Sequence, residues 1–181
     1  MSVVMSLKIV ISTILMLISF LSYGNNLSLE QYRLGSGDII KVSVFGEDDL
    51  SLETRLPQTG TLSYPFLGDI QVVDLTISEL EAFIFDGLEG DYLISPSVAV
   101  TVIEYRPFFI DGEVKQPGGY PYQPGLSVDK AAALAGGYTE RASKDKIVIV
   151  RNISGIQTTL SGESKDIILP GDFVTIRQSF F

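Results

Sequence analysis

Two short stretches dense in glycine and proline limit what this chain can become: YRLGSGD at Tyr32 to Asp38 and GEVKQPGGY at Gly112 to Tyr120. Each abuts an alternating apolar–polar run, the mark of a tight turn that starts or ends a β-strand. Glycine takes backbone angles closed to other residues. Gly35, Gly37, Gly112, Gly118 and Gly136 are therefore assigned to such turns, with Asp38, Pro117 and Gly137 beside them. No Walker lysine or dinucleotide pattern surrounds these glycines, so nothing marks them as a phosphate cradle.

The runs between the turns have strand and helix periods. IIKVSVF at Ile39 to Phe45 alternates, with Ile40, Val42 and Val44 on one face. Short strands are expected at Leu52–Leu56, Gly60–Tyr64 and Gly68–Val73. Thr76 and Glu79 form a capping-box pair, predicting a helix from Ile77 to about Leu88 with Leu80, Phe83, Ile84 and Leu88 on its apolar stripe, broken by Gly87 and Gly90. SVAVTVIEY at Ser97 to Tyr105 is again a strand, closed off by Pro107. Beyond it, strands are expected at Phe108–Val114, Ile147–Arg151, Gln157–Leu160 and Asp172–Arg177. A short helix, Val128–Ala135, is capped by Ser127 and ended by Gly136. Gly35-x-Gly37-Asp38 and Pro170-Gly171-Asp172 each precede a strand and are locally alike, without a true repeat. The pattern is α+β: small mixed sheets with one helix, then a β-grasp arrangement.

Composition narrows the chemistry. The chain has no histidine, cysteine or tryptophan, which removes disulfides, thiol–zinc sites and a lipoprotein anchor. A net charge of −9 excludes a cationic surface for nucleic acid. Glu47, Asp48 and Asp49 sit in one hydrophilic loop, where adjacent carboxylates point outward and stay ionised instead of facing each other across a sugar. No cofactor, metal or catalytic residue is expected. At the amino terminus, Lys8 precedes an apolar run from Ile9 to Leu21, and Ser22 and Gly24 suit a peptidase. Residues 1–24 thus read as a cleaved export signal, the apolar run being short for a bilayer span, with an uncleaved inner-membrane anchor at 1–23 as the alternative; a linker, 25–31, follows.

The run from Tyr32 to Thr76 keeps the order GD turn, strand, acid-rich loop, Gly-Thr turn and PFLG. It resembles the polysaccharide export domain of Wza-type proteins. Gly112 to Tyr120 with Ala135-Gly136-Gly137 resembles the soluble-ligand-binding β-grasp (SLBB) domain that follows in that family. The resemblance implies an export domain at 32–106 and an SLBB domain with a C-terminal strand at 107–181. It also implies a homo-oligomeric periplasmic ring, associated with the outer membrane, that passes exopolysaccharide or capsule polymer received from an inner-membrane co-polymerase. The chain shows no lipidation cysteine and no long amphipathic helix after the β-grasp segment, so the expectation is either a separate outer-membrane pore as a further partner or docking on the inner leaflet as a collar. The alternative is a stand-alone periplasmic carbohydrate-binding or scaffolding module.

Four residues are candidates for contact with saccharide or a neighbouring subunit. Tyr120 and Tyr122 flank a proline in a turn-rich segment, where exposure is expected, and tyrosine is enriched at interfaces. Arg106 and Arg141 lie at element ends, where a planar guanidinium can reach a carboxylate of the next subunit or form an ordinary surface ion pair.

Overall fold

The computed structural model describes residues 32–153 and 155–179, so the expected export signal, the expected linker and the terminal Phe180–Phe181 lie outside the described residues. Residues 32–106 build one hydrophobic core and residues 107–179 another. In the first, β1 (Ile39–Val44) is the centre of a three-stranded antiparallel sheet between β2 (Leu52–Arg55) and β5 (Val98–Glu104). Its alternation works as expected: Ile40, Val42 and Val44 are buried. A hairpin of β3 (Thr61–Tyr64) and β4 (Gly68–Gln71) and helix α1 (Ile77–Leu88) complete this half.

Helix α1 starts where its capping box predicts, with Glu79 N–H donating to the Thr76 hydroxyl and Thr76 N–H to the Glu79 carboxylate. It buries Leu80, Ile84 and Leu88, whereas Phe83 is exposed. Gly87 does not break it. It lies within the last turn, where a Cβ would come within 2.8 Å of Leu67, and the helix ends instead before Gly90, at φ +87°.

The second half is a five-stranded sheet in the order β7-β6-β10-β8-β9, formed by β6 (Phe108–Gly112), β7 (Gly118–Tyr120), β8 (Ala142–Ile153), β9 (Ile156–Gly162) and β10 (Phe173–Gln178). Strands β6 and β10 run parallel and the other pairs antiparallel. Helix α2 (Val128–Leu134), capped by Ser127, buries Val128, Ala131 and Ala132 against one face. Strand β8 begins five residues earlier than Ile147, at Ala142, which pairs with Gln178 of β10 across a register shift. The protein is α+β, with an export-type half of small sheets followed by a β-grasp. No helix among the described residues is long and apolar enough to cross a membrane.

Candidate functional site: a joint built on two aspartate turns

The two look-alike turns have the same local structure. In each, a left-handed glycine (Gly37 at φ +97°, Gly171 at +83°) precedes an aspartate. That aspartate's N–H closes the turn on the carbonyl three residues back, Gly35 or Leu169, at 3.1 Å. Its carboxylate accepts the N–H of that same residue, at 2.8 Å from Gly35 and 2.7 Å from Leu169. Asp38 and Asp172 are the buried charged side chains among the described residues, and each has an arginine. Arg106 donates through Nη1 to Asp38 at 3.1 Å. Arg151 donates through Nε and Nη2 to Asp172 at 2.9 and 2.7 Å. A buried carboxylate requires such saturation, since an unpaired one is expensive.

Asp38 is the hub. Besides Gly35 N–H and the guanidinium, it accepts the Tyr32 hydroxyl at 2.6 Å and the backbone N–H of Arg106 at 2.8 Å. Three of the four donors meet Oδ2 and the Arg106 N–H meets Oδ1, so both oxygens of the buried carboxylate are bonded. Arg106 lies between the two turns: a Cβ on Gly35 would fall 1.9 Å from its Nη1, and one on Gly171 would fall 2.8 Å from its Nε. Its guanidinium also sits 5.6 Å from the Tyr32 ring centroid and bonds the Tyr32 hydroxyl. Three edge-to-face rings cross the same boundary, Tyr32 on Tyr105 at 5.0 Å and Tyr105 on Tyr122 at 5.4 Å. Burial first, then the Asp38 carboxylate, pushes the Tyr32 phenol well above its usual range, against the opposing pull of Arg106. Burial likewise raises Tyr105 and Tyr122.

The candidate contact residues fall in different places. Arg106 pairs with a carboxylate of its own chain, because the connection from β5 to β6 delivers it onto Asp38. Tyr122 is buried, 8% exposed, not presented to solvent, since its ring fills the space beside Tyr105. Tyr120 is half-buried, stacked on Phe108, with its hydroxyl donating to Gln116 carbonyl at 2.7 Å. Arg141 is exposed, immediately before β8. Gly37, Gly112, Gly136 and Gly137 have positive φ, as the turns require. Gly35 and Gly118 do not. Gly35 is needed for space beside Arg106, and Gly118 has no neighbour closer than 4.0 Å to a Cβ. Pro117 opens the turn that returns β7 antiparallel to β6. Asp172, Arg151 and Tyr32 escaped the sequence reading as members of one site. The signal available for them was the shared pattern of an apolar residue, two further residues, then Gly-Asp before a strand.

The joint lies between two small α+β units, an export-type sheet on one side and a β-grasp on the other. Residues 27–103 match the polysaccharide biosynthesis/export protein family, and residues 107–163 match the SLBB domain. With these two domains in this order, the chain fits a Wza-type polysaccharide export protein. It is 35% identical over 122 residues to the exopolysaccharide production protein ExoF of Rhizobium meliloti, an alignment covering 60% of this chain and 28% of ExoF. It is 27% identical over 157 residues to the EPS I polysaccharide export outer membrane protein EpsA of Ralstonia nicotianae, covering 72% of this chain and 40% of EpsA. The chain thus spans less than half the length of these relatives.

Proposed function

We propose that this chain is a non-enzymatic subunit of a periplasmic conduit for exopolysaccharide or capsule polymer. Residues 1–24 direct export, residues 32–106 form the export domain and residues 107–181 the SLBB domain. Copies close into a homo-oligomeric ring associated with the outer membrane. The ring takes polymer from an inner-membrane co-polymerase and hands it to a separate pore. The observation that supports this reading best is the joint. Ring closure by heterologous contacts needs each subunit to hold one angle, and Arg106, seated between both aspartate turns, ties the two domains into one wedge.

Deleting the gene and measuring polysaccharide on the cell surface tests the reading. Surface polymer is expected to fall, to return with the wild-type gene, and to return poorly with Arg106→Ala expressed at equal level. Undiminished surface polymer, in a strain without a second export protein, would overturn it.

A further inference from the structure

The charge of this protein is not shared between its halves. Residues 32–106 hold four Lys/Arg and thirteen Asp/Glu, whereas residues 107–181 hold eight of each, so the whole net charge of −9 belongs to the export half. Within that half the cations gather where β1 begins. Arg106 is in the joint, Arg55 pairs with Glu104 and the Gly37 carbonyl, and Arg33 pairs with Glu79 at the start of α1.

The opposite pole has the reverse character. There the loop after β1, the β3–β4 turn and the segment from the end of α1 to β5 meet. Phe45 N–H bonds Ser97 carbonyl at 2.9 Å, Tyr64 hydroxyl bonds Leu50 carbonyl at 2.7 Å, and the Phe66 and Tyr92 rings stack at 4.6 Å. Residues 45–51, 64–69 and 86–97 contain seven acidic residues, all exposed, and no lysine or arginine. The carboxyl end of α1, with no basic residue in its last turn, adds the negative end of the helix dipole. Yet this pole displays the two most exposed large apolar side chains among the described residues, Ile94 at 99% and Phe45 at 88%, together with Phe66 at 64% beside half-exposed Tyr92. Phe66 and Ser95 hold left-handed backbone, at φ +64° and +60°, an unfavourable state for residues with a Cβ.

Exposed apolar groups gathered at one pole mark an interaction surface, and the charge around them selects the partner. We propose that this pole docks on a protein that offers an apolar socket rimmed by lysine and arginine. An anionic lipid surface would be repelled. A second copy of the chain has no matching surplus, since its second half is electrically balanced and its first half is acidic.

The test uses protein purified as it accumulates in cells, with two synthetic amphipathic probes, a leucine–lysine helix and a leucine–glutamate helix of equal length. The leucine–lysine probe is expected to bind at least about tenfold more tightly, and to weaken as salt rises. Ile94→Ser with Phe45→Ser, which leaves charge unchanged, is expected to weaken it by about tenfold or more, consistent with loss of apolar burial. Ile156→Ser, exposed in the other half, is expected to leave binding unaltered. Equal binding of the two probes, or binding indifferent to the Ile94/Phe45 change, would overturn the proposal. So would self-association abolished by that change, which assigns the pole to a second copy, or vesicle co-sedimentation abolished by it, which assigns the pole to lipid. None of these outcomes depends on whether the protein exports polymer.

Discussion

At the scale of single residues, Asp38 and Arg106 carry most of the consequence. Arg106→Ala leaves a fully buried carboxylate with three donors and no counter-charge, at an expected cost of about 2–4 kcal/mol. Urea unfolding followed by circular dichroism measures it. Tyr32 gives the joint a pH dependence. Its phenol has an ordinary value of 10.0 in the unfolded chain and a raised one when folded. Below 10.0 it is protonated in both states and stability is full. Above it the unfolded chain releases the proton first and stability falls. Tyr32→Phe is therefore expected to be less stable at about pH 8, through the lost bonds to Asp38 and Arg106, but to lose less stability between about pH 10 and 11. Denaturant titrations at these pH values separate the two effects. An equally steep alkaline loss in the variant would show that Tyr32 is not the titrating group.

Elements were more legible in the sequence than the site they build. The period-two run of β1 and the Thr76–Glu79 pair at α1 are local signals, and both elements appear where those signals place them. Thr76→Ala is expected to cost about 1 kcal/mol. Proline and glycine punctuation likewise gave the β6–β7 return. The joint was legible only as turns. Its bonded partners Tyr32 and Arg106 lie 74 residues apart, and which arginine finds which aspartate is decided by packing that no local pattern encodes. The same limit misplaced Tyr122, because a proline-flanked tyrosine looks exposed until the ring across the boundary is known. Glycines show the contrast best. At Gly112, φ is +80° and a Cβ would sit 2.1 Å from the Ile176 carbonyl oxygen, so Gly112→Ala is expected to cost about 3 kcal/mol or more. At Gly118, with ordinary φ and open space, alanine is expected to change stability by less than about 0.5 kcal/mol. Thermal melts of the two variants side by side check both.

For the whole molecule, the question is whether two cores melt as one. They share no buried residue, and what couples them is the aromatic ladder and the arginine between the turns. The wild-type protein is expected to unfold in a single calorimetric transition, and Arg106→Ala in two, as the halves lose their tie. A single transition in both would show that the aromatic ladder suffices. The placement of Arg106 also carries an evolutionary consequence. Gly35 in one half and Gly171 in the other are kept small by the same side chain. An alanine at either site must evict the guanidinium, and once it has gone the second alanine finds that space vacant. The two substitutions should thus show epistasis, the double variant costing less than its parts together. The relief is one of space alone: Gly35 becomes freer to change where Gly171 already has, whereas Gly171, at φ +83°, keeps its backbone strain in either background.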